Sequence, residues 1–193
     1  MKIRISHLNG QYDLSNHTDL CELFCKPENE DSKYLFENGW LPYSNGEWYQ
    51  CRSSRVKISP ISSRRKRQLE KIKISKEGNY LEIMRKSKFL YDDAVEEFLH
   101  TMLSFKHEIY YFNDNTFAVL NWFDDIPYYS LVLGGRVKKD GSTPLSCYHF
   151  IDELANHSYP YLYIGEWYDQ FYYKSHYPNF EWWDGEKWVE NNF

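Results

Sequence analysis

The sequence predicts a mixed α/β domain built on a largely antiparallel sheet flanked by helices. Three apolar runs, 108–112, 115–123 and 128–133, are separated by short Asn, Asp and Pro turns, the pattern of an antiparallel meander. Helical periodicity brackets it on both sides, over 88–103 and again from Thr143-Pro144. A short apolar strand at 159–164 follows the second helix. Strands, helix, meander, helix and strand in that order support a mixed α/β class.

The chain of 193 residues suits one domain, 34–193, with a small N-terminal extension over 1–33. Its start, MKIRISHLNGQYDL, has no continuous apolar stretch. No segment approaches the roughly 20 apolar residues of a membrane span. The expectation is a cytoplasmic protein without a membrane partner, its four cysteines held as reduced thiols. The 18 Tyr and 7 Trp belong either to a tyrosine-rich core or to a pocket that stacks on rings.

Net charge is −5, but it is unevenly spread: residues 52–88 hold thirteen Lys/Arg against Glu70, Glu77 and Glu82, a local balance of +10. The remainder carries −15, so a basic footprint sits on an acidic body, as a phosphate-contacting surface requires. The plain alternative is a solvated helix face.

In chain order, Lys2 to Ser6 alternates and reads as an edge strand. Cys21 and Cys25 share a helical spacing, and with Cys51 and His17 or His7 they form a weak metal-ligand set. Structural cysteines are the preferred reading, since a free Cys packs as a small hydrophobe. Asn45-Gly46, between Tyr43 and Trp48, signals a type I′ hairpin, because both turn positions need positive φ. A strand over about 47–58 leads to Ser62-Ser63-Arg64-Arg65-Lys66-Arg67, where either serine can cap a helix. Cations in a first helical turn oppose the macrodipole, a local cost that an anionic partner would offset.

Lys71 to Ile74 alternates and predicts a strand. The helix over 88–103 gathers Leu90, Ala94, Val95, Phe98, Leu99, Met102 and Leu103 on one face. Gly134-Gly135 ends the meander, and Thr143 caps a second helix with Pro144 at its first position. Leu145, Tyr148, Ile151, Leu154 and Ala155 form that helix's apolar face.

The stretch from Tyr159 to Trp188, YPYLYIGEWYDQFYYKSHYPNFEWWDGEKW, carries the densest chemistry. Tyr161-Leu162-Tyr163-Ile164 reads as a buried strand, and Gly165 permits a sharp turn or a close ligand approach. A polar group just past a strand end is a common ligand position in α/β sheets. This stretch resembles the C-terminal region of the arginyl-tRNA–protein transferases, including their bacterial leucyl-transferring relatives. Tyr161 to Gly165, then Tyr173-Lys174, then Tyr177, Glu181, Asp184, Gly185 and Trp188 carry the likeness. YLFENGWLPYSNGEWYQCRSSRVKIS and the Ser-Arg-rich run after it resemble the family's earlier segment. Glu166 departs, standing where the family usually has an aromatic residue.

The resemblance implies an acetyltransferase-like (GNAT-like) α/β fold and transfer of an amino acid from charged tRNA. The acceptor is the α-amino group of a protein or peptide, and no cofactor is called for. Glu166 would accept a proton or pair with an arginyl guanidinium, and a buried carboxylate there favours arginine as the donor. Lys174 would bind a phosphate, an acidic acceptor or the oxyanion. Tyr161, Tyr163, Gly165, Trp167, Tyr168, Tyr173 and Arg55 would form the substrate site, with Trp167 and Tyr168 placed to stack on the terminal adenine or line the amino-acid pocket. Tyr161 and Tyr163 read equally as core residues. Arg64, Arg65, Lys66 and Arg67 would meet tRNA phosphates.

Two other classes fit less well. An acetyl-CoA-dependent N-acetyltransferase would want a Gly-rich loop entering a helix, and Gly134-Gly135 stands far from Thr143. A non-catalytic RNA-binding relative would not need the C-terminal motif retained.

Overall fold

The computed structural model describes residues 2–5, 23–43, 47–51, 53–87, 92–134, 142–167 and 169–190, with side chains at 2–5, 142 and 169–171 excepted. It is a mixed α/β protein with a large, mostly antiparallel sheet, flanked by helices. The chain folds as two compact units, Met1–Lys57 with Tyr163–Phe193, and Ile58–Leu162.

The first unit opens with β1 (Lys2–Ile5) and β2 (Leu23–Lys26), followed by α1 (Ser32–Glu37), β3 (Leu41–Pro42), β4 (Tyr49–Gln50) and β5 (Ser53–Lys57). Strand β2, from the stretch read as an N-terminal extension, pairs antiparallel with β4 in a four-stranded sheet ordered β1-β2-β4-β3. The Asn45-Gly46 turn lies outside the described residues, but its flanks pair as expected: Tyr43 N–H donates to the Trp48 carbonyl at 2.8 Å. The single strand expected over 47–58 is two strands, β4 and β5. Helix α1 starts at Asp31, whose carboxylate accepts from Tyr34 N–H at 2.7 Å. It ends at Gly39, whose φ of 77° and packing under the Trp183 ring both require glycine.

The second unit holds α2 (Ser63–Leu69), β6 (Ile74–Ser75), α3 (Tyr80–Lys86), α4 (Asp93–Ser104), β7 (His107–Phe112), β8 (Thr116–Phe123), β9 (Ile126–Gly134) and α5 (Ser142–Glu153). The meander is present, with β6-β7-β8-β9 antiparallel throughout. Asn113 and Asp114 have φ of 52° and 55°, the two positive values a type I′ turn needs between twisted strands. Ile83, Met84, Leu99, Tyr111, Phe117, Val119 and Leu133 form its core. Buried Asn121 is satisfied on both sides, donating to the Met102 carbonyl at 2.7 Å and accepting from Ser130 Oγ at 2.6 Å. That bond ties the end of α4 to β8.

Several boundaries differ from the sequence expectation. Helix α4 begins at Asp93, not at Lys88, because Asp92 caps it by accepting from Val95 N–H at 3.2 Å; Leu90 is outside the described residues. Of the 71–74 strand only Ile74 pairs with β7, and the pairing continues to Ser75. Helix α5 includes Ser142, one residue before the expected cap, and stops at Glu153, which leaves Ala155 exposed beyond it. Leu145, Tyr148, Ile151 and Leu154 are buried, as their spacing predicts.

Strand β10 (Tyr161–Glu166) follows α5, with Leu162, Tyr163 and Ile164 buried. The chain then enters a 3₁₀ segment (Asp169–His176), β11 (Phe180–Trp183) and β12 (Trp188–Glu190). Strand β11 pairs with β5 on one side and β12 on the other.

Candidate functional site

The predicted site residues of the first unit gather around the end of β10. Gly165 sits there at φ 88°, a conformation that L side chains rarely adopt. Its carbonyl accepts from buried Ser54 Oγ on β5 at 2.7 Å. The next carbonyl, of Glu166, accepts from Lys174 Nζ at 2.6 Å. Two successive carbonyls at the end of β10 are therefore each held by a side chain, Ser54 and Lys174. Lys174 is only 7% exposed, and its ammonium would lie 3.1 Å from a Cβ on Gly165. Burying an ammonium is costly unless hydrogen bonds replace its water, and the Glu166 carbonyl supplies one.

Beside this turn lies a buried ion pair. Arg55 and Glu181 face each other directly in the β5–β11 register, with Arg55 Nε 2.6 Å from Glu181 Oε2. Trp188 closes the pair from above, its ring centroid 3.8 Å from the guanidinium carbon. Trp188 in turn donates its indole N–H to the Glu37 carbonyl at 2.8 Å. Asp184 makes the turn that returns β12, accepting from the Glu186 and Lys187 amides at 2.9 and 2.8 Å.

The remaining residues divide between core and surface. Tyr163 is a core residue, fully buried and edge-on to Phe36 at 4.8 Å and to Trp188 at 5.8 Å. Trp167 is half-buried and packs on Phe180 at 4.7 Å. Glu166 is also half-buried, so the premise of a buried carboxylate at that position does not hold: the end of β10 leaves it partly in water. Tyr173 is exposed, and Tyr168 lies outside the described residues. Tyr161, in the second unit, is half-buried against Tyr159 at 6.4 Å.

The cationic helix α2 is capped by Ser62, which accepts from Arg65 N–H. Its four cations do not share one role. The Arg65 guanidinium lies 4.5 Å above Tyr148 of α5 and donates to Gln68 at 2.9 Å. Lys66 pairs with Asp152 at 3.4 Å. Both therefore seat α2 on α5. Arg64 and Arg67 are exposed and sit three residues apart, on the outward side of the helix.

Cys25 and Cys51 are both buried thiols, and Cys21 is outside the described residues. Burial, with the Cys51 thiol second, pushes the Cys25 thiol up to about 12, so it stays protonated and unreactive near neutrality. Among the described residues, no three His, Cys, Asp or Glu side chains are grouped to hold a metal ion.

The importance of Glu181, Ser54 and Trp188 as partners does not emerge from the sequence. A signal for the ion pair is nonetheless present there. Arg55 lies next to Val56 and Glu181 between Phe180 and Trp182, and charges embedded in buried strands call for partners. Which partner each takes depends on register. No model of a known protein family matches this sequence, and no curated protein matches it. Among the described residues, no helix is long and apolar enough to cross a membrane.

Proposed function

We propose that the chain is an aminoacyl-tRNA-dependent transferase, with an acetyltransferase-like fold, that joins an amino acid to the α-amino group of a protein or peptide. The observation that carries this reading is the Lys174 ammonium, buried and fixed to the carbonyl one residue beyond Gly165 at a strand end. A preorganised cation of this kind stabilises charge that develops in a transition state, because it need not reorganise when the charge appears.

In the proposed reaction, Glu166 takes a proton from the acceptor's α-ammonium. The amine attacks the ester carbonyl of the charged tRNA and forms the carbon–nitrogen bond. The carbonyl oxygen becomes an oxyanion, which the Lys174 ammonium meets. Collapse breaks the carbon–oxygen bond to the tRNA. The attacking nitrogen loses its second proton as it becomes an amide, and the leaving 3′ oxygen takes that proton and departs as a hydroxyl. Glu166 gives its own proton to solvent. The ester is already activated, so positioning and oxyanion stabilisation supply most of what is needed. The alternative role for Glu166, pairing with an arginyl guanidinium in place of taking the proton, is what favours arginine as the donor. Arg64 and Arg67 contribute the phosphate contacts.

The test is transfer of radiolabelled amino acid from arginyl- and leucyl-tRNA onto peptides beginning with Asp, Glu, Arg or Lys. Transfer that collapses in Glu166→Gln and Lys174→Ala supports the reading and names the donor. Absence of both transfer and charged-tRNA binding would sink it, and acetyl-CoA would then be tried as the donor.

A further inference from the structure

Helix α5 is held along two lines of side chains. Tyr148 and Asp152 face α2, where they meet Arg65 and Lys66. The residue after each of them, His149 and Glu153, meets β7 instead. Tyr110 and Phe112 of β7 stand edge-on to the His149 ring at 5.3 and 5.7 Å, which fixes where the imidazole lies. Tyr110 donates to Glu153 Oε1 at 2.9 Å, and its oxygen also lies 3.2 Å from Glu108 Oε2. A phenol carries one hydrogen, so only one of the two carboxylates receives it at a time. Glu108 has other donors, Lys76 and the Trp122 indole at 3.0 Å, which leaves the phenol hydrogen to Glu153.

The second oxygen of Glu153 faces the histidine. Oε2 lies 3.1 Å from His149 Nε2, and that nitrogen is buried and makes no hydrogen bond. A buried polar atom left in that condition raises the free energy of the folded state. A proton on Nε2, with a small turn of the ring, converts the approach into a charge-assisted hydrogen bond. Burial opposes charging the imidazole, but its side chain keeps 20% of its surface in water and its partner is a carboxylate in contact. The other charges around the pair are matched among themselves, Lys76 with Glu108 and Lys66 with Asp152. We propose that His149 is a proton-operated latch: once protonated it closes on Glu153 and fastens α5, and with it the basic helix α2, to β7. A histidine that gains an anionic partner adds stability below its titration and loses it as pH rises through it. Glu153 has to stay ionised, and its contact with His149, then the Tyr110 hydroxyl, holds its carboxyl below the ordinary range. The latch therefore works between carboxylate and imidazole titration, at about pH 5 to 6.5. It needs no substrate and stands apart from the transferase reading. Its consequence falls on Arg64 and Arg67, the exposed cations that α2 carries.

Amide hydrogen exchange of the full chain, expressed as protection factors at about pH 5.5 and about pH 8, tests the latch. Protection across α5 and α2 should rise about three- to fivefold at the lower pH, the contribution of a half-exposed ion pair. The chain has seven histidines, so the deciding quantity is the difference from variants in which this pair cannot charge. His149→Gln and Glu153→Gln should each abolish the rise, and the double variant should do no more than either alone. Glu153→Gln keeps an acceptor for Tyr110 and lies half in water, so it should keep its fold and decides the matter even if His149→Gln does not; an unchanged circular dichroism spectrum checks this. No rise in the native chain, or a rise of the same size in Glu153→Gln, would overturn the proposal. A rise confined to α5 would keep the latch and remove its link to α2.

Discussion

The ammonium of Lys174 lies 3.1 Å from the point where a side-chain carbon on Gly165 would begin. The lysine thus crowds the space that a side chain at 165 would need. A side chain at 165 would strain a backbone at φ 88° and would make the Lys174 ammonium, held by the Glu166 carbonyl, give by a few tenths of an ångström. Gly165→Ala should cost about 1–3 kcal/mol of stability by urea unfolding and should lower transfer. A variant of normal stability and full activity would refute this account of the turn.

Lys174 is assigned the oxyanion. Lys174→Ala should therefore reduce single-turnover transfer by about 100- to 1,000-fold, the cost of removing one such donor. Charged-tRNA binding should change much less, because the charge that Lys174 meets exists only during reaction. A loss confined to tRNA affinity would instead make Lys174 a phosphate ligand.

The Arg55–Glu181 pair should behave as a buried charge pair. Glu181→Ala leaves Arg55, itself only 7% exposed, without its carboxylate, which costs about 3–5 kcal/mol. The double variant Arg55→Met with Glu181→Leu should lose markedly less, since both charges leave together. A double-mutant cycle by urea denaturation measures the difference, and strict additivity would show that the two side chains do not interact.

Exposed and seated cations on α2 should differ in their response to salt. Removing Arg64 and Arg67 together should reduce the salt-dependence slope of tRNA binding by about 2, since each phosphate that a cation neutralises adds about one. Lys66→Ala should instead lower stability slightly by releasing Asp152, with its side chain half in water. Equal slopes in all variants would remove α2 from the RNA surface.

Glu153 gives the second unit an acid sensitivity. His149 at 3.1 Å, although not aligned for a hydrogen bond, and then Tyr110, donating at 2.9 Å, hold the Glu153 carboxyl below its ordinary range against partial burial. A carboxylate depressed in the folded state stabilises fully above its unfolded pKa of about 4.3 and loses that contribution as pH falls through the folded value. The urea midpoint of the native chain should therefore drop more steeply below about pH 4 than that of Glu153→Gln. Parallel profiles would show that Glu153 carries no such linkage.

Much of the secondary structure was legible in the chain because its signals are local. The meander follows from alternating apolar runs and positive-φ turn residues, and α4 and α5 follow from helical spacing ending at caps. The same local signals mark Gly165 and Lys174 individually. They leave the relation between the two open, because burial of an ammonium depends on what the rest of the chain folds around it. Register alone joined Arg55 to Glu181 across 126 residues, with Trp188 above them. Packing against α5 alone separated Arg65 and Lys66 from Arg64 and Arg67, four neighbours with the same charge. By itself the sequence determined the kinds of element and the residues rich in chemistry. The tertiary structure decided which charges are buried and paired and which face water, because desolvation is a property of the surroundings and not of the residue.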